Sequence, residues 1–233
     1  NVVYVSVGLR TPILVINFKN YPEVSGERTL QLASVAESVA RELSVEIAVA
    51  PPSPFIALVS KSVKIPVLSQ HADPDKPGST TGALVPEVLK SAGAVGSLVN
   101  HSERRLKPSV VGQVVQRLKE SGLIQVVCAR TPQEVFRYAK LSPYFIAIEP
   151  PELIGSGIAV SKARPDVITD SIQASFKANP QVKVICGAGI VSGEDVTSAL
   201  RLGALGVLIA SGVVKSSDWR SKILELATPL RDS

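Results

Sequence analysis

Residues 123–149 read LIQVVCARTPQEVFRYAKLSPYFIAIE. Two apolar runs, LIQVVCA (123–129) and YFIAIE (144–149), flank a stretch that opens as helices open. Thr131 offers an N-cap oxygen, Pro132 suits the first helical position, and Glu134 stands where a capping-box acid stands. Neither run alternates cleanly between apolar and polar residues. Strands of a parallel sheet, covered on both faces, read this way. The segment is a strand–helix–strand unit.

Working outward, the same rhythm fills the chain. Six further runs are PILVINF (12–18), VEIAVA (45–50), IPVLSQ (65–70), VGSLVN (95–100), VKVICG (182–187) and LGVLIA (205–210). Helical spacing lies between most of them. Leu32, Val35, Ala36, Val39, Ala40 and Leu43 share one face, as do Val111, Val114, Val115 and Leu118. Gly122 sits where a helix stops, and Ser192-Gly193-Glu194-Asp195 is a second, weaker capping signal. Ile168, Ile172 and Phe176 mark another helix, and Ile223, Leu226, Ala227 and Leu230 the last. This alternation predicts parallel strands with right-handed crossovers. Eight units in 233 residues predict closure into a (β/α)8 barrel with its helices outside. An open doubly wound sheet would carry G-x-G-x-x-G after its first strand, where this chain has Asn17-Phe18-Lys19-Asn20. The barrel is expected to be a single domain, 12–233. Residues 1–11 form an extension of undefined structure, in which Val3, Val5 and Val7 alternate as in a short strand.

Composition narrows the function classes. The chain is 45% apolar, yet no run approaches the roughly 20 residues of a membrane span. Its first residues lack the positive region of a signal peptide. Cys128 and Cys186 lie in strand-like runs and read as buried free thiols, which fits a reducing cytoplasm. The net charge of +5 is scattered, so no nucleic-acid surface is expected, although a mild positive balance favours anionic substrates. Two histidines cannot build a His-rich metal site, and no carboxylate spacing marks a Mg2+ site. No metal and no other cofactor is expected.

In such a barrel, chemistry sits at the C-terminal ends of the strands. The residues there are Asn17 and Lys19, the Asn100-His101-Ser102-Glu103 run, Glu149, Gly187-Ala188-Gly189, and Ala210-Ser211-Gly212. Singly, each has an ordinary reading as a loop charge, a structural histidine or a turn glycine. Together they fall at one end of different strands. A proton shift between adjacent carbons of a hydroxy-carbonyl needs a base, an electrophile and an anchor. Glu149 can be the base, His101 the electrophile, and Lys19 can offset enediolate charge. Backbone amides near the glycines can meet a phosphate. His71, in a loop with Asp73, reads as structural.

The runs Asn17-x-Lys19, Asn100-His101-Ser102-Glu103-Arg104-Arg105 and Glu149-Pro150-Pro151-Glu152-Leu153-Ile154-Gly155-Ser156-Gly157 resemble the triosephosphate isomerase family. Thr81-Gly82-Ala83 and Cys128 fit the same family, and the match runs in order from about Pro12 to the end. Pro-Pro-Glu-Leu-Ile-Gly after Glu149, and Gly-Ala-Gly at 187–189, are similar to its compact archaeal branch. The resemblance implies a TIM barrel that interconverts D-glyceraldehyde 3-phosphate and dihydroxyacetone phosphate, a step of glycolysis and gluconeogenesis. It implies Glu149 as base, His101 as neutral electrophile, Lys19 as supporting cation and Glu103 as an acid behind them. Asn17, Phe18 and Lys19 would contact substrate. Ile154, Gly155, Gly187, Gly189, Ala210 and Ser211 would surround the phosphate, and 150–157 would act as a lid. It also implies a homo-oligomer, a tetramer in the archaeal branch, with the loop from His71 to Val85 reaching into a neighbouring subunit. Two other readings stay open: another phosphate-binding barrel isomerase or epimerase, and an inactive barrel serving as a binding protein.

Overall fold

A computed structural model describes residues 8–153, Ile158 and residues 163–233. Val3, Val5 and Val7, and the expected phosphate contacts Ile154 and Gly155, lie outside the described residues. Eight parallel strands form one sheet: β1 Ile13–Asn17, β2 Glu46–Ala50, β3 Leu68–Ser69, β4 Gly96–Val99, β5 Ile124–Ala129, β6 Phe145–Ile148, β7 Lys183–Cys186 and β8 Gly206–Ile209. Their order is β2-β1-β8-β7-β6-β5-β4-β3. The ring closes between β2 and β3 through a single bridge, Val49 with Val67, and a 3.0 Å bond from Val49 N to Pro66 O. Pro66 has no N–H to give, which is why the run at 65–70 yields only a two-residue strand. Its carbonyl still accepts, and the seam holds.

Helices cover the outside. They are α1 Glu27–Leu43, α2 Ile56–Ser62, α3 Pro86–Ser91, α4 Pro108–Glu120, α5 Pro132–Ala139, α6 Pro165–Ala178, α7 Gly193–Arg201, α8 Ser211–Val214 and α9 Trp219–Arg231. Two apolar layers result. Ile13 and Val15 point into the barrel with Ala48, Leu98, Val126, Phe145 and Ile185. Leu14 and Ile16 point out to the helices, with Ile47, Val49 and Ile148. Both faces of each strand are therefore apolar, which is why the runs did not alternate. Each fully buried side chain of the size of Phe145 contributes about 1.5–3 kcal/mol.

The caps differ in detail from expectation. Thr131 Oγ1 accepts the Glu134 amide at 3.2 Å, but the Glu134 carboxylate reaches past Thr131 to the Arg130 amide at 2.7 Å. Ser192 and Asp195 form the complete reciprocal box, so the weaker signal is the fuller cap. Gly122, at φ 71°, ends α4 as expected. On α6, Ile168 is buried but Phe176 is 69% exposed. Eight residues at 100° each leave Phe176 about 80° off the inner line, which Ser171 and Ser175 occupy instead.

Candidate active site

Strand parity decides what enters the mouth. Side chains alternate along a strand, so the inward series Ile13–Val15 continues to Asn17 and Phe145–Ala147 continues to Glu149. The same parity turns Phe18 outward with Leu14 and Ile16. Phe18 is fully buried in the helix-facing layer and does not line the mouth, contrary to the expectation that it touches substrate. A cavity of about 460 Å³ opens at this end, lined by Asn17, Lys19, His101, Glu103, Glu149, Gly187, Gly189, Ala210 and Ser211, among others.

Lys19 occupies the left-handed region, at φ 50°. This conformation costs a side-chain-bearing residue about 1–2 kcal/mol. Two hydrogen bonds hold it there. The Lys19 amide donates to Asn17 Oδ1 at 3.0 Å, and Gln70 Nε2 donates to the Lys19 carbonyl at 2.8 Å. Asn17 thus shapes the turn that aims Lys19. The ammonium meets Glu103 Oε1 at 2.7 Å.

Asn100 is also left-handed, at φ 62°. Its amide group donates to the Cys128 carbonyl at 3.0 Å and its Oδ1 accepts the Leu106 amide at 2.9 Å. That brace swings the next residue over the mouth. His101 Nδ1 accepts the Glu103 backbone N–H at 3.2 Å, which assigns the imidazole proton to Nε2. Nε2 in turn faces Glu149 Oε1 at 3.6 Å. Burial lowers the His101 pKa to about 4; nearby Glu103 opposes that shift, while Lys19 and Arg105 add to it. The ring is neutral at physiological pH.

Burial moves Glu149 the other way. It is 2% exposed, and burial raises its pKa to about 7, against the pull of Arg105, the Cys128 thiol, Lys19 and the Ser102 amide. Its Oε2 has no hydrogen-bond partner among the described residues. Gly187 serves this carboxyl by a route different from the expected phosphate contact. Its amide is already committed to the Ile148 carbonyl at 3.0 Å. A Cβ there would stand 2.7 Å from Glu149 Cγ and 3.0 Å from Oε1, so only glycine leaves room for the side chain. Cys128, buried beneath, has its thiol pushed well up by burial and then by Glu149, and stays protonated.

Opposite the two carboxylates, Gly189 at φ 70° and the β8–α8 turn face the cavity. The first-turn amides of α8 have no intrahelical acceptor, and the helix dipole adds partial positive charge. Sequence reading missed Tyr21 and Lys215, which also line the cavity. Each had a faint signal: Tyr21 lies two residues beyond Lys19, and Lys215 one helical turn beyond Ser211. His71 is buried, with Nε2 2.9 Å from Asp73 Oδ1, and Asp73 Oδ2 accepts the Leu84 amide at 2.7 Å. It ties the base of the 71–85 loop, a structural role. Among the described residues, no cluster of three or more His, Cys, Asp or Glu could hold a metal ion.

Residues 12–227 match the family described as triosephosphate isomerase. A protein named triosephosphate isomerase from Methanothermus fervidus is 49% identical over 219 residues, covering 94% of this chain and 99% of that protein. One of the same name from Pyrobaculum calidifontis is 50% identical over 222 residues, covering 95% and 97%. The crystal structure of triosephosphate isomerase from Bartonella henselae superposes with a TM-score of 0.73 over 94% of this chain and 97% of that one. At 19% identity, that likeness speaks for the fold alone.

Proposed function

The chain belongs to the triosephosphate isomerase family, and on that premise we propose how its mouth interconverts D-glyceraldehyde 3-phosphate and dihydroxyacetone phosphate. The observation that carries the reading is one contact: His101 Nε2 faces Glu149 Oε1 at 3.6 Å, with the two pKa values pushed apart, to about 4 and about 7. Two titratable groups tuned in opposite directions divide into base and electrophile. The family is itself a standard case of a glutamate base beside a neutral imidazole.

Ionised Glu149 takes the proton from the carbon next to the carbonyl. The electron pair moves onto the carbonyl oxygen, which the His101 Nε2–H supports by hydrogen bonding. Lys19, held by Glu103, offsets the enediolate charge. His101 Nε2–H gives its proton to that oxygen and takes back the hydroxyl proton of the adjacent carbon, which moves the charge from one oxygen to the other. Glu149 then returns its proton to the neighbouring carbon as the new carbonyl forms. A positioned general base contributes about 10²–10⁴-fold. The amides at Gly189, Ala210 and Ser211 hold the phosphate.

The working unit in this reading is a homo-oligomer, a tetramer of the archaeal type. The 71–85 loop supports it. Its base is tied by His71 and Asp73, Arg117 donates to the Asp75 carbonyl at 3.3 Å, and residues 75–79 are exposed. A loop held rigid at its base and bare at its tip loses little entropy on docking. Next to the mouth, a second cavity of about 420 Å³, bordered by Lys19, Gln70, His101 and Glu103, is where a neighbour's loop would seat. The free thiols of Cys128 and Cys186 fit a cytoplasmic setting. No helix among the described residues is long and apolar enough to cross a membrane.

The test is an assay of purified protein dialysed against a chelator. Interconversion of the two triose phosphates at an undiminished rate is expected. A protein that binds the trioses without interconverting them would overturn the reading.

A further inference from the structure

Among the charged side chains that line the cavity, one outside the catalytic group gives the anion end its positive charge. The charged side chains lining the described cavity are Lys19, Lys215, Glu103 and Glu149. Lys19 is held by Glu103 at 2.7 Å, so that pair is neutral as a unit. Glu149 adds negative charge or none. Lys215 is therefore the lining ammonium left to face a phosphate, and it has no carboxylate partner among the described residues.

Its placement is built by its neighbours. The Lys215 amide donates to the Ser211 carbonyl at 3.0 Å, so the residue leaves the same single turn whose first amides face the anion end. Four residues of helix rise only about 6 Å, and the side chain stays beside that end. The ammonium then lies 4.7 Å from the centroid of the Tyr21 ring. Lys19 Nζ lies 5.9 Å from the same centroid. An aromatic face attracts cations within about 6 Å, so one ring steadies two ammonium groups that otherwise repel each other.

We propose that Lys215 is a binding residue for the substrate's phosphate, held over the mouth by Tyr21 as its positioning residue. The inference rests on the triose phosphate reading of this cavity. A charge on the rim meets the phosphate equally in the ground state and the transition state. It acts on KM and leaves kcat nearly alone. Salt screens it.

The experiment compares the full-length protein with Lys215→Met, Lys215→Arg, Tyr21→Leu and Tyr21→Phe at low and high ionic strength. Lys215 is exposed, so its variants lose little packing, and thermal unfolding of each checks that they fold. Lys215→Met is expected to raise KM about tenfold, with kcat within about twofold. Inhibition by inorganic phosphate should weaken by the same factor, and both differences should shrink at high salt. Lys215→Arg and Tyr21→Phe, which keep the charge and the ring, should behave as wild type. Tyr21→Leu should reproduce part of the KM effect. Unchanged KM and phosphate affinity in Lys215→Met at low salt would overturn the role of Lys215. Wild-type behaviour in Tyr21→Leu would overturn the positioning. Direct calorimetry of phosphate binding reads Lys215 even in a protein that turns over no triose, so the two readings fail separately.

Discussion

The two ends of this barrel are made from the same eight strands and treat buried polar groups in opposite ways. At the N-terminal end, Tyr144 OH donates to the Leu9 carbonyl at 2.8 Å, Lys183 Nζ sits 3.2 Å from that hydroxyl, and Gln125 Oε1 accepts the Tyr144 amide at 3.2 Å. Leu9, Ile13, Ile124 and Phe145 close the floor. At the C-terminal end, Glu149 Oε2 has no hydrogen-bond partner among the described residues, and a cavity of about 460 Å³ lies open. Buried polar atoms without partners cost about 1–3 kcal/mol each. A fold tolerates that at one end only when the other end and the helix layer supply the stability.

The contrast predicts that substitutions at the mouth change turnover and substitutions at the floor change stability. The largest effect is expected for Glu149→Gln, which keeps the volume but cannot take a proton from carbon. Its kcat should fall by about 10²–10⁴-fold, with the melting temperature preserved or, at neutral pH and above, raised. Steady-state kinetics with thermal unfolding on one preparation checks this, and near-normal turnover removes Glu149 from the role of base. Gly187→Ala is expected to follow, because the new Cβ would stand 2.7 Å from Glu149 Cγ. A displaced base of this kind loses up to about 10²-fold in kcat. If kcat holds and only stability drops, Gly187 is a packing residue and the contrast weakens. Tyr144→Phe should show the converse. It leaves the Leu9 carbonyl short of a donor, costing about 1 kcal/mol in denaturant unfolding at fixed protein concentration, with kcat and KM unchanged.

Much of this contrast could be read from the residues. Non-alternating runs announced strands covered on both faces, and polar residues ending those runs announced the mouth. What escaped was geometry that spacing does not encode. Phe18 sits between Asn17 and Lys19 in sequence, yet parity sends it to the helix layer. Gly187 reads as a phosphate glycine until the position of Glu149 is known. Pro66 shortens β3, which run length alone did not reveal. Tyr21 and Lys215 reach the cavity from two separate loops, and their ring-to-ammonium contact spans most of the chain. The pKa values of His101 and Glu149 belong to the same class, since burial sets both and no single residue predicts burial.

That opposite tuning is the centre of the account, and it can be measured without substrate. Labelling the glutamate side-chain carboxyl carbons and the histidine ring nitrogens, with Glu149→Gln and His101→Gln samples to assign the signals, allows each group to be titrated by NMR. The account predicts that Glu149 titrates near pH 7, well above an ordinary glutamate, and that His101 remains neutral down to about pH 4, with the proton on Nε2. Because the Glu149 pKa is raised, ionising it as pH climbs from the ordinary glutamate range to about 7 should also cost the fold stability. A Glu149 midpoint near 4.5, or a His101 ring that protonates near 6.5, would contradict the account.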